Sequence, residues 1–205
     1  MMRSRLRTLA RGMAVMAAGL LLASCANTTP TRFYTLSSLP AAPGEAPAMA
    51  SQDLTVAVGP VTLPEYLNRP QLVTRDGSNR VDLADFDSWI EPVQGLFART
   101  LAQNLSVLLG TDDVLLLPQR RPVRPDYLVE VEVTRFDVET SGNAVLDARW
   151  WVLDEGGEAV LRNGRSTIVQ PTTTGDHAAA AQALSGALIG MSREIAGAIA
   201  DHAGS

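Results

Sequence analysis

The sequence predicts an α+β fold, an α/β sandwich in which a single, mostly antiparallel sheet carries two amphipathic helices packed on one face. Three patterns support it. Residues 87–109 repeat apolar side chains at Ile90, Val93, Phe97, Leu101, Leu105 and Leu108, one face of a helix. Residues 176–202 do the same at Leu184, Leu188, Met191, Ile195 and Ile199. Residues 126–139 instead alternate, with Tyr127, Val129, Val131 and Val133 set against Glu130 and Glu132, as a strand with one wet face does. Stripes on helices and one apolar face on a sheet bury each other most economically in two layers.

The amino terminus comes first. Arg3, Arg5, Arg7 and Arg11 precede an apolar run at residues 13–23 that is broken only by Gly19. A basic segment followed by a short apolar one is the plan of an export signal. The run falls short of the roughly 20 apolar residues of a membrane-spanning helix. It closes on Leu22-Ala23-Ser24-Cys25, an aliphatic residue, two small residues and then the single cysteine of the chain. That resembles a bacterial lipobox. Residues 1–24 form a lipoprotein signal peptide to be removed. Cys25 takes diacylglycerol on its sulphur and a further acyl chain on its freed amine. Each buried methylene contributes about 0.8 kcal/mol and stable anchoring needs more than one chain, so a multiply acylated Cys25 suffices. No other cofactor is expected. With Cys25 consumed the mature domain holds no thiol, and its stability must come from its core. Ala26, where an aspartate would resemble an inner-membrane retention signal, points to the outer membrane.

Removing residues 1–24 from the 205-residue chain leaves 181, within the range of one domain, and moves the formal charge from −5 to −9. A domain this acidic argues against nucleic acid and against electrostatic binding to anionic lipid. Every basic residue is arginine, which we read as a coding bias.

Residues 25–31 read as the lipidated cysteine and a short tether, and residues 32–205 as one domain. Residues 32–38 have strand composition. Residues 39–52, rich in Pro and Ala, read as a flexible loop. A docked strand at residue 32 would leave only residues 26–31 as tether, a reach of at most roughly 20 Å, and would hold the domain against its membrane. Residues 53–63 form a strand ended by Gly59-Pro60. Residues 71–85 form a hairpin turning at Asp76-Gly77. Residues 87–109 form the first helix, ended by Gly110, with Pro92 starting or kinking it. Residues 114–118 form a short buried strand. Residues 126–139, 143–154 and 158–170 complete an antiparallel meander turning at Glu155-Gly156-Gly157. Of the adjacent Trp150 and Trp151, one lies under the helices and one on the open face, which is wet, covered by a neighbouring subunit, or a lipid path.

Chemistry is sparse. His177 and His202 lie 25 residues apart in one helical segment, about 37 Å along a helix, and cannot share a metal. No nucleophile elbow, Walker A or dinucleotide glycine pattern occurs. Asp85 with Asp87 fall at a helix N-terminus, Glu130 with Glu132 on a solvated strand face, and Asp154 with Glu155 in a turn. The basic cluster Arg120, Arg121 and Arg124 sits in a proline-broken loop. No enzyme activity is expected. Residues 61–70 are more telling: Pro64, Tyr66, Leu67, Arg69 and Pro70 stiffen and decorate a loop, and Trp89 lies next to it if the hairpin packs as read. Two readings stand for these six, core lining beneath a loop or a protein-contact surface.

As a whole the mature sequence resembles the ABC-type transport auxiliary lipoproteins, the PqiC-like group. The likeness runs from "RFYTL" through "VGPVTLPEYLNRPQLVTRDGSNRVDLADFDSWIEP", "LAQNLSVLLG", "DYLVEVEVTRFD" and "LDARWWVLD" to "SREIAGAIA", and residues 59–92 are its most specific part. The resemblance implies an α/β sandwich on a lipoprotein at the periplasmic face of the outer membrane. It implies an auxiliary role in intermembrane lipid transport, with an MCE-domain bridging protein and, through it, an inner-membrane ABC permease and ATPase as partners. A homo-oligomeric ring is compatible with that role. The family brings no catalytic residues to transfer. A stand-alone periplasmic carrier of lipid is the alternative. The Pro/Ala insertion at residues 39–52 departs from the family pattern.

Overall fold

The structure, a computed structural model, describes residues 29–40, 54–77, 79–119 and 124–204. The signal peptide, Cys25, the start of the tether, most of the Pro/Ala loop, and Arg120 and Arg121 lie outside the described residues. The strands are β1 (Arg32–Tyr34), β2 (Val56–Thr62), β3 (Gln71–Asp76), β4 (Arg80–Trp89), β5 (Val114–Leu116), β6 (Tyr127–Glu139), β7 (Asn143–Leu153) and β8 (Val160–Pro171). The helices are α1 (Val93–Leu109) and α2 (His177–Ala203).

β6 organises the sheet. Along one edge it pairs antiparallel with β7 from Leu128↔Leu153 to Glu139↔Asn143, and β7 pairs antiparallel with β8. Its other edge is shared: β2 runs parallel to its first half, and β3 meets it in parallel at Val138 and Glu139. Outward from there lie β5 beside β2, and β4 then β1 beside β3. The long ladders are antiparallel as expected; β1–β4, β2–β5, β2–β6 and β3–β6 are parallel and make the sheet mixed.

Both helices lie on one face. Asp176 caps α2, its carboxylate accepting from the Ala178 and Ala179 N–H groups at 2.9 and 3.0 Å. The predicted stripe Leu184, Leu188, Met191, Ile195 and Ile199 is buried throughout. Gly110, left-handed at φ 69°, ends α1. Phe97 of α1 meets Phe136 of β6 edge to face at 5.2 Å. Trp150 is the tryptophan under the helices. A Cβ at Gly164 would fall 2.3 Å from its indole, so only glycine fits there. Its Nε1–H donates to Ser166 Oγ at 3.0 Å, and Ser166 in turn donates to Glu194 of α2. Trp151 lies on the other face, half-buried.

Several expectations need correction. α1 begins at Val93, not at residue 87, because β4 runs on to Trp89, paired with β1 and through Ser88 with Gln71. Pro92 disfavours a helical conformation in the residue before it, and Ile90 stands outside the helix, 58% exposed. Asp87 is therefore a strand residue. β2 does not stop at Gly59-Pro60: a bulge between Val58 and Val61 absorbs one extra residue and the strand continues to Thr62. β5 is half-buried rather than buried. Residues 35–40 follow β1 as an irregular strap, not a strand. It buries Leu36 and Leu39; the Ser37 N–H donates to Ser185 Oγ at 3.1 Å and the Leu39 N–H to Asn104 Oδ1 at 2.7 Å. Asn104 of α1, fully buried, donates onward to Ser192 of α2 at 3.0 Å. Leu39, read as the head of a flexible loop, is buried and held to α1 through Asn104.

Candidate functional site

The loop at residues 64–70 is built by its prolines. Pro64, with φ preset, leads into a single 3-10 turn at Glu65–Leu67, closed by Leu67 N–H to Pro64 O at 2.9 Å and Asn68 N–H to Glu65 O at 3.0 Å. Pro70 prevents the turn from continuing as a helix. The Trp89 N–H at the end of β4 donates to Pro70 O at 2.7 Å, and Gln94 of α1 donates to Val61 O at 2.6 Å. The first bond ties the loop to the sheet, and the second ties α1 to the strand that leads into the loop.

Beneath it lies a charge that the alternating pattern did not reveal. Asp137 of β6 is 1% exposed. Its Oδ2 accepts from Tyr66 OH at 2.9 Å and from Arg75 Nε and Nη2 at 3.1 and 3.0 Å; its Oδ1 accepts from Arg135 Nη2 at 2.7 Å. Arg75 also lies over the Tyr66 ring at 5.3 Å, and Arg135 reaches Glu139 at 3.1 Å. Burial, followed by the adjacent Asp137 carboxylate, pushes the Tyr66 phenol up to about 12, so it remains a donor throughout the physiological range. A bulge between Val133 and Arg135 resets the strand so that Arg135, Asp137 and Glu139 share the face away from the helices while Phe136 and Val138 point into the core.

The six sequence candidates meet here with different placements. Leu67 and Trp89 belong to the core; Tyr66 and Pro64 are half-buried; Arg69 and Pro70 are exposed. Between the loop and the start of α2 is an apolar cavity of ≈ 200 Å³ lined by Leu67, Leu72, Trp89, Phe136 and Leu184, with His177 at its rim. Beside it Asp87, 4% exposed, accepts from Tyr34 OH at 2.6 Å and Arg32 Nη2 at 2.8 Å, with His177 Nε2 3.7 Å away. Burial works to raise the Asp87 carboxyl, but the hydrogen bonds from Arg32 and Tyr34 and the His177 side chain hold it below the usual carboxylate range. Asp87 therefore serves as the clamp on β1, where the sequence suggested a helix terminus. His202 packs edge-on against Tyr127 at 6.1 Å. Among the described residues no three metal-ligating side chains converge, and no helix is long and apolar enough to cross a membrane.

A family model described as the ABC-type transport auxiliary lipoprotein component matches residues 34–196. Among solved structures the chain is similar to protein XCC0632 from Xanthomonas campestris, of the family DUF330. The identity is 16% and the TM-score 0.69, over 85% of this chain and 97% of that one. It is also similar to a crystal structure of an uncharacterized protein, with 18% identity and a TM-score of 0.65, over 82% of this chain and 97% of that one. At such identities the likeness shows a shared fold. No curated protein matches the chain.

Proposed function

The chain belongs to the ABC-type transport auxiliary lipoprotein family, and from that membership we propose that Cys25 holds it on the periplasmic face of the outer membrane to dock an MCE-domain bridging protein. The domain is a docking part and no catalyst; its family is one of transport auxiliaries, not of enzymes. ATP is hydrolysed at the far end of the bridge by the inner-membrane permease and ATPase, and the cargo is lipid. A homo-oligomeric ring of these domains would enclose the outer end of the conduit.

One observation carries this reading: the 64–70 loop is held rigid from below and left open above. Tyr66 is hydrogen-bonded to a buried carboxylate, Leu67 is in the core, and Pro70 is bonded to the Trp89 backbone, while Arg69 and Pro70 face solvent. A loop already fixed in shape loses little entropy when a partner lands on it. Arg69 and Pro70 make the contact; Pro64, Tyr66, Leu67 and Trp89 hold them in place.

The alternative is a stand-alone carrier, and the apolar cavity favours it. At ≈ 200 Å³, however, the cavity is below the roughly 300–1,000 Å³ of typical ligand pockets. Co-isolation from native membranes tests the two. Docking expects an MCE-domain protein to come down with the wild type, to be lost with Cys25→Ala, and to be weakened by Arg69→Glu in a protein that folds normally. A purified domain that retains stoichiometric phospholipid and brings down no such partner would replace docking with carriage.

A further inference from the structure

Three large apolar side chains stand exposed together at one edge of the sheet. Phe33 is 60% exposed, Phe86 45% and Ile90 58%. Phe33 of β1 is the register partner of Ser88 in β4, and Phe86 and Ile90 lie two residues to either side of Ser88. The Ile90 N–H donates to Tyr34 O at 2.8 Å and extends the ladder past the strand end. Side chains alternate between faces along the β1–β4 ladder, which sets Phe33 and Ile90 in one stripe. Phe86, exposed where β4 bulges against β3 between Leu83 and Ser88, stands at its end. The opposite parity is occupied by Asp87, which approaches His177 of α2, and Trp89, in the core. The stripe therefore points away from the helices.

Neighbouring charges are largely paired. Arg32 meets Asp87 at 2.7 Å and Arg99 meets Glu91 at 2.7 Å, with exposed Asp85 at one end. The stripe is therefore an apolar surface with a nearly neutral rim on an otherwise acidic domain. Its exposed area, roughly 300 Å² from the usual areas of such side chains, is well under the about 800 Å² per partner of a stable protein interface. A second copy of the chain is accordingly a poor occupant.

Its position indicates a better one. Resting on the reading of Cys25 as the acylated residue, residues 26–31 allow at most roughly 20 Å between the anchor and β1. Phe33 is the second residue of that strand. We propose that Phe33, Phe86 and Ile90 rest in the interfacial zone of the bilayer that carries the anchor, so that the domain is held by its acyl chains and oriented by this edge. Contact of this kind depends on apolar burial and is insensitive to salt.

The test uses the full-length protein purified from bacterial membranes and reconstituted into phosphatidylethanolamine–phosphatidylglycerol vesicles. With Cys25 acylated, Phe33→Cys, Phe86→Cys and Ile90→Cys each offer one free thiol for an environment-sensitive fluorophore. Val169→Cys, at a site 54% exposed on β8, is the control. Doxyl-labelled lipid should quench the probes at 33, 86 and 90 roughly twofold or more above the control, as side chains a few ångströms into the interface would be. Quenching equal to the control, with intact mass showing acylated Cys25, overturns the membrane contact alone. A probe response that follows protein density in the vesicles rather than doxyl lipid overturns it in favour of a second copy. Unmodified Cys25 by mass, with every variant released from the vesicles, overturns the anchor and the contact together.

Discussion

The two faces of this sheet solve burial by different chemistry. Under the helices most buried polar groups are small and neutral: Asn104 bonds to Ser192 and the strap, Ser185 and Ser192 donate to carbonyls one turn back, and Trp150 donates to Ser166. The exception is the Asp87 carboxylate at the edge, paired with Arg32. The rest is close-packed apolar surface, with Phe97, Leu105, Leu188 and Ile195 fully buried. On the other face the buried charge is a carboxylate, Asp137, neutralised by two arginines and hydrogen-bonded by a tyrosine. Taking a carboxylate out of water is costly, and full pairing is what makes it tolerable. Away from the Asp87 edge the helix face thus draws its stability from shape, whereas the open face ties a surface loop to an ionic network.

The contrast can be tested from either side. The largest loss is expected at the helix face. Leu188→Ala removes a fully buried side chain and should cost about 4 kcal/mol, towards the upper part of the range for such truncations. Urea unfolding reads the loss, and protease cutting within residues 64–70 should be unchanged in the folded protein. Asp137→Ala is the counterpart. It should cost about 3 kcal/mol, the low end for removing one partner of a buried pair, because Arg75 and Arg135 keep 18% and 29% of their side-chain surface in water. Here protease cutting at residues 64–70 should rise sharply; if the loop stays protected, the network does not hold it.

Gly164→Ala presses a methyl group into the Trp150 indole and should cost about 2 kcal/mol by overpacking, with a change in near-ultraviolet circular dichroism. The smallest effect is one of pH. The folded Asp87 carboxyl is held below its ordinary value, so its contribution to stability is complete above about pH 4 and is lost as pH falls through the lower folded value. The protection of the Tyr34 and Ile90 amides, taken relative to their intrinsic exchange rates at each pH, should fall on acidification across that window, and Asp87→Asn should remove this loss of protection.

What could be read from the sequence follows the same division. The α2 stripe, the β6–β7–β8 meander and the opposite placement of the two adjacent tryptophans were legible because periodicity records which residues share a face; that Trp150 is the inner one was not. The start of α1 was misplaced because Ile90 happens to fall in phase with the stripe, while the partners that hold residues 87–89 in a strand lie at residues 32–34 and 71. The passage of β2 through Gly59-Pro60 depends on a bulge that only the pairing with β6 reveals. At the candidate site, the nearness of Trp89 to the loop was legible, and the burial of Leu67 agrees with the core-lining reading. The part played by Asp137 was not. Its burial follows from a one-residue phase slip in β6 and from Arg75 in a distant strand, neither of which leaves a local pattern.

The strap at residues 35–40 bears on how this protein is made. Its Ser37 is bonded to a hydroxyl 148 positions later in the chain. A polypeptide threaded across a membrane amino-end first delivers this segment early and its berth last. Until α2 arrives, Leu36 and Leu39 and the crevice that will take them all remain wet, so final closure of the domain is among the last events of translocation. A nascent chain halted before α2 should leave the strap open to protease, and completing α2 should close it.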